Sequence, residues 1–157
     1  MFSVIFPGQG SQMVGMGRDF YDKYSLVQNL FNEADETLGF ALSKLILEGP
    51  KEDLDLTENT QPAIFLLSYS IFKLIKEEFG IDLNKAHYFA GHSLGEYSAL
   101  ASAGVLSFSE TLKILKIRGN AMQSSVPKGE GGMLAVLGSQ IDIIEKMINE
   151  NKDNYEC

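Results

Sequence analysis

Short apolar runs punctuated by glycine alternate along this chain with longer segments whose apolar residues recur every three or four positions. Phe2 to Phe6 is a β-branched and aromatic run ended by Pro7-Gly8, which predicts a buried strand. A glycine-rich loop follows, Pro7-Gly8-Gln9-Gly10-Ser11-Gln12 and then Gly15 and Gly17. Leu26, Leu30, Ala34 and Leu38 form one stripe of a helix opened by a Ser25/Gln28 capping box and stopped at Gly39. Pro62 near its start and Gly80 past its end bracket a second long helix. Ile64, Phe65, Leu66, Leu67, Ile71 and Phe72 leave that helix apolar on most sides, so it is expected to be central and buried.

His87 to Gly91 predicts another strand, and Leu94 onward a helix ended at Gly104. Ser107 and Glu110 form a further capping box, opening a helix to about Ser125. Residues 126–132 have the composition of a hinge, after which Met133 to Leu137 predicts a strand and Ser139 to Asn149 an amphipathic helix. Strands alternating with helices indicate an α/β fold with a parallel sheet. Three strands are few for such a sheet, and the chain ends in a polar stretch where a returning strand is expected. It reads as the front part of something longer.

Composition narrows the function. In 157 residues, 45% are hydrophobic and 22% charged, as in a globular protein. The net charge of −8 argues against a general nucleic-acid binder. The longest apolar run, Ala63 to Phe72, is about half of the ~20 residues a membrane span needs. Without a signal segment, and with Cys157 as the single cysteine, a cytoplasmic protein is expected. Two histidines and that cysteine supply no plausible zinc set.

Gly91-His92-Ser93-Leu94-Gly95 is a G-x-S-x-G sequence between a predicted strand and a predicted helix. A sharp strand-to-helix turn pushes the serine hydroxyl out of the sheet, and flanking glycines let strand and helix approach without a Cβ clash. The helix N-terminus then offers N–H groups to an oxyanion. The earlier glycine-rich loop does not bind a nucleotide by either common pattern. Met13 stands where G-x-G-x-x-G needs glycine, and Met16 where a P-loop needs lysine. Two readings of that loop stay open: a tight turn serving the fold, or a backbone N–H offered to a reacting group.

Arg118 is the third candidate. On its helix, Lys113, Lys116 and Asn120 form a polar stripe, while Arg118 shares the opposite face with Ile114 and Met122. An arginine on the apolar side needs an anionic partner, either an internal Asp or Glu or a substrate carboxylate. Neither histidine suits the role of base for Ser93. His87 is six residues upstream on the same strand, about 20 Å away at 3.3 Å per residue. His92 is adjacent, so its side chain should point away across the turn.

Together, Phe6 to Gln12, Thr60-Gln61-Pro62-Ala63, the run from Gly91 to Leu100, and Arg118-Gly119 resemble the malonyl-CoA:acyl carrier protein transacylases of fatty acid synthesis and the acyltransferase domains of polyketide synthases. The resemblance implies an α/β-hydrolase-like parallel-sheet subdomain over 1–127. The first strand-helix unit of a small ferredoxin-like subdomain would follow over 128–157. It implies that Ser93 takes the malonyl group from coenzyme A, that the backbone N–H groups of Gln9 and Leu94 form the oxyanion hole, and that Arg118 binds the malonyl carboxylate. His92 would lie beside the site and touch the substrate. Acyl carrier protein would accept the acyl group, and no metal or redox cofactor is implied.

The family's base histidine and its orienting group fall beyond Cys157, so the chain by itself is expected to turn over negligibly and to leave the Ile141, Ile144 and Ile148 face poorly covered. Lys113, Lys116 and Lys128 are either a solvated face or a docking patch for the anionic partners. Two rival classes are a serine hydrolase (an esterase, thioesterase or patatin-like enzyme) and a non-catalytic acyl-CoA-binding fragment.

Overall fold

The computed structural model describes residues 1–125 and 136–151. The chain divides into two compact units, Met1–Pro127 and Lys128–Cys157. In the first, β1 (Ser3–Phe6) leads through the glycine-rich loop to α1 (Arg18–Lys23), α2 (Ser25–Leu38), α3 (Leu42–Glu48) and α4 (Lys51–Leu54). There follow the long α5 (Thr57–Phe79), a 3₁₀ turn at Leu83–Lys85, β2 (Tyr88–Gly91), α6 (Gly95–Ser102) and α7 (Phe108–Ser125). This is an α/β arrangement.

The two strands pair in parallel, Ser3 opposite Tyr88 and Phe6 opposite Gly91. Parallel pairing needs a crossover, and the helical stretch α1–α5 supplies it. Side chains alternate along each strand. Val4, Phe6 and Phe89 face inward, with Phe6, Phe72 and Ala99 forming a small buried cluster. Ile5 and Tyr88 face outward and are 75% and 69% exposed. The expected buried strand is therefore buried on one face only, because among the described residues α5 and α6 cover a single side of the sheet.

α5 is the axis of the unit, as its apolar residues on most sides predict. Phe65 and Leu66 are fully buried, packed with Phe31 and Ala34 of α2 and with Leu112 and Leu115 of α7. Burying a side chain of this size stabilises by about 1.5–3 kcal/mol relative to leaving it exposed. The helix begins at Thr57, so Pro62 lies in its second turn rather than near its start. It ends where Gly80 adopts the left-handed conformation at φ 65°.

The two expected capping boxes have different outcomes. At Ser107 the box forms: the Glu110 amide donates to Ser107 Oγ at 3.2 Å, and the Ser107 amide donates to Glu110 Oε2 at 3.1 Å. At Ser25 it does not. Tyr24 occupies the capping position, and the Gln28 side chain instead donates to the Tyr21 carbonyl at 2.8 Å. Gln28 is drawn back because α1 ends one residue before the cap.

Within the second unit, α8 (Ile141–Glu150) confirms the amphipathic helix, and Ile141, Ile143 and Met147 on it are exposed. Val136 and Leu137 are exposed and lie in no strand. The hinge, the Met133–Ala135 part of the expected strand, Lys128 and Cys157 lie outside the described residues. Among the described residues, no helix is long and apolar enough to cross a membrane.

Candidate active site

The end of β2, the start of α6 and the end of β1 meet at one point, and glycines make the meeting possible. A Cβ on Gly91 would collide with the Gly95 carbonyl, and one on Gly95 would come within 2.6 Å of the Phe6 carbonyl oxygen. The turn between them places Ser93 at φ 54°, the only non-glycine residue with positive φ among those described. A left-handed serine costs about 1–3 kcal/mol and persists only where its surroundings fix it. Here the His92 amide donates to the Phe6 carbonyl at 3.1 Å, and the Gly95 amide donates to the His92 carbonyl at 2.9 Å. The result is an exposed Ser93 hydroxyl above a buried Leu94.

The glycine-rich loop lies against this turn. A Cβ on Gly8 would strike the His92 imidazole and approach its carbonyl oxygen to 2.8 Å. Glutamines anchor the loop to the α4–α5 junction. Gln9 Nε2 donates to Thr57 Oγ1 at 3.3 Å, and Gln12 Nε2 donates to Asp55 Oδ1 at 2.8 Å. Gln12 Oε1 also accepts from the Gly10 amide at 2.8 Å, folding the loop on itself. The amides of Gln9 and Leu94 make no internal hydrogen bond among the described residues. Both stay free for an acceptor from outside.

Arg118 reaches the same point from α7. Its Nη2 donates to Ser93 Oγ at 3.1 Å and its Nη1 to Gln61 Oε1 at 2.7 Å. The guanidinium carbon lies 5.8 Å from the centre of the Tyr97 ring. Among the described residues no carboxylate pairs with Arg118, so the internal ion pair considered from sequence does not form there. Gly119 allows the approach, since a Cβ there would lie 2.5 Å from Glu58 Cα and 2.7 Å from the Thr57 carbonyl oxygen.

The other expectations divide. His92 packs over Gly8 and His87 sits at the far end of β2, its amide bonded to the Phe2 carbonyl at 3.1 Å. Among the described residues neither histidine hydrogen-bonds Ser93. Lys116 leaves the solvated stripe: its Nζ donates to Asn59 Oδ1 at 3.0 Å and sits 4.8 Å over the Phe40 ring. Lys116 is thus half-buried with its charge partly engaged within the chain, while Lys113 is exposed. Sequence reasoning gave no role to Gln61, Tyr97 or Gly119. The only signal was the membership of all three in the quoted motifs. Among the described residues, no three His, Cys, Asp or Glu side chains cluster as metal ligands would.

A serine at a sharp strand-to-helix turn, two amides beside it without internal acceptors and an arginine without a carboxylate partner among the described residues mark a site of the acyl-transfer class on an α/β protein. The sequence matches the family model described as the acyl transferase domain over residues 3–155, and the chain belongs to that family. It is 45% identical over 146 residues to a malonyl CoA-acyl carrier protein transacylase of Bacillus subtilis, covering 93% of this chain and 45% of that protein. The crystal structure of an acyl-carrier-protein-S-malonyltransferase from Bartonella henselae superposes with a TM-score of 0.88 at 41% identity, over 98% of this chain and 49% of that one. A further structure, a type II PKS acyl-carrier protein in complex with its malonyl-transacylase, gives 0.76 at 42% identity over 82% of this chain and 40% of that one. The chain spans about half the length of the relatives it matches.

Proposed function

We propose that this chain carries the nucleophile and carboxylate-binding half of a cytoplasmic malonyl-CoA:acyl carrier protein transacylase. Ser93 is the nucleophile. Its Oγ adds to the thioester carbonyl carbon of malonyl-CoA, the C–S bond breaks, and the hydroxyl proton leaves with the sulfur as free coenzyme A. The amides of Gln9 and Leu94 receive the oxyanion. In the second half-reaction the phosphopantetheine thiol of acyl carrier protein adds to the malonyl ester. The C–O bond breaks and the proton returns to Ser93 Oγ. No metal or redox cofactor enters these steps, and His92 lines the substrate's approach.

The observation that carries this reading is the Arg118 guanidinium 3.1 Å from Ser93 Oγ with no acid beside it among the described residues. A cation so near the nucleophile suits an acyl group whose carboxylate lies only two bonds from the reacting carbonyl, as in malonyl. An esterase or lipase substrate gives such a cation nothing to bind. We also assign the first unit to an α/β-hydrolase-like subdomain over 1–127 and residues 128–157 to the start of a ferredoxin-like one, on the strand-turn-helix site and the family match.

Incubation with malonyl-CoA followed by a holo acyl carrier protein, read by mass spectrometry of the carrier, tests this. Malonyl on the carrier thiol, formed slowly and in far less than one turnover per chain on the time scale of a complete enzyme because neither described histidine reaches Ser93, is the expected result. Release of free malonate, with none on the carrier, would indicate a hydrolase instead.

A further inference from the structure

Gln61 is a polar residue fully enclosed in the second turn of α5, next to the buried Asn59 and Thr60. A buried amide must be satisfied on both sides, and this one is. A guanidinium only donates, so the amide oxygen must face Arg118, and it accepts Nη1 at 2.7 Å. The amide nitrogen then points to Met122 Sδ at 3.2 Å. Gln61 thus fixes one edge of the guanidinium, leaving the other directed at Ser93 Oγ.

The charge of this partner matters as much as its geometry. Glutamate would make the same short contact and hold Arg118 more strongly, but it would neutralise the cation in a half-buried setting. A neutral acceptor orients the guanidinium and leaves its positive charge available. We infer that Gln61 is a positioning and selectivity-determining residue, which keeps Arg118 anchored yet uncompensated so that acyl groups bearing a carboxylate are favoured over uncharged ones. The inference rests on the acyl-transfer role proposed for Ser93 and Arg118.

The test measures the rates at which malonyl-CoA and acetyl-CoA acylate Ser93 in the full chain, by intact-protein mass spectrometry. In Gln61→Glu the ratio of malonyl to acetyl rates is expected to fall about tenfold or more, the scale of a lost charge-assisted hydrogen bond. The acetyl rate should stay near that of the unsubstituted chain. Gln61→Met, similar in volume and unable to form an ion pair, keeps the cation but removes its anchor. There the malonyl KM is expected to rise about fivefold at an unchanged maximal rate. Should Gln61→Glu fold poorly, Gln61→Met decides alone.

Equal losses for both acyl groups, or an unchanged ratio in the folded variants, would overturn the proposal. Arg118→Ala separates the two levels. If it lowers the ratio while the Gln61 variants do not, the carboxylate clamp stands and only the role of Gln61 falls. An unchanged ratio in Arg118→Ala would remove the clamp itself.

Discussion

Arg118 Nη2 donates to Ser93 Oγ across 3.1 Å, joining residues 25 positions apart on different elements. Without substrate, the cation thus rests on the hydroxyl proposed to react. A carboxylate arriving beside Ser93 is a stronger acceptor than a hydroxyl, and would take over the guanidinium edge that Ser93 occupies.

The fork of the arginine should matter beyond its charge. Lysine at this position keeps a cation but cannot bridge Gln61 and the site at once. Arg118→Lys is therefore expected to reduce malonyl acylation about tenfold while leaving acetyl acylation nearly unchanged. Rates of Ser93 acylation with the two thioesters measure this, and an equal reduction for both would contradict it.

Close backbone approaches at Gly91 and Gly119 should be intolerant of even a methyl group. In each case the added Cβ meets backbone rather than a flexible side chain. Gly91→Ala and Gly119→Ala are expected to lower stability by about 3 kcal/mol or more, since main chain must move to make room. Urea unfolding followed by circular dichroism would show the midpoint shift. Gly10→Ser offers a control, because nothing lies within 4 Å of a Cβ at Gly10. Its positive φ of 104° still exacts a smaller cost.

The capping box of α7 makes an acid-sensitive contribution. The Ser107 hydroxyl, then the Ser107 amide, holds the Glu110 carboxyl below the usual glutamate range. A group whose folded pKa is depressed contributes stability that is full above its unfolded value and is lost as pH falls through the folded one. The stability difference between the unsubstituted chain and Glu110→Gln should therefore be present at about pH 7 and shrink toward about pH 3. A difference constant across that range would show that the carboxylate is not held by the cap. Ser107→Ala, which removes the cap oxygen, is expected to cost about 1 kcal/mol.

Loop anchoring should act on both acyl groups alike. Gln12 bonds the Gly10 amide and Asp55, and among the described residues it hydrogen-bonds neither Ser93 nor Arg118. If the Gln9 amide serves the oxyanion, loosening the loop by Gln12→Ala lowers malonyl and acetyl acylation together by several-fold, about 1 kcal/mol of transition-state stabilisation. A selective loss of malonyl would place Gln12 in the carboxylate clamp instead.

What was legible in the sequence follows the range of each interaction. The elbow at Ser93, the axial helix and the Ser107 box are specified within a few residues, and all three form. The Ser25 box fails because α1 is too short to show a period, so its capture of Gln28 was invisible. Lys116 sat on a polar stripe by helical spacing, yet Asn59 and Phe40 reach it from distant parts of the chain. Gln61 stood in a motif without a role because its partner lies 57 positions away. The open face at Ile5 and Tyr88 was equally hidden, since periodicity reveals that a strand is apolar and not what covers it.

Site-mapped acylation tests the central claim most directly. The chain is incubated with malonyl-CoA, its intact mass is recorded, and the modified residue is located by peptide fragmentation. One malonyl group on Ser93, absent from Ser93→Ala and reduced in Arg118→Ala, is the expected result. Malonyl on a different residue, or an adduct that persists undiminished in Ser93→Ala, would contradict the assignment of Ser93 as the nucleophile.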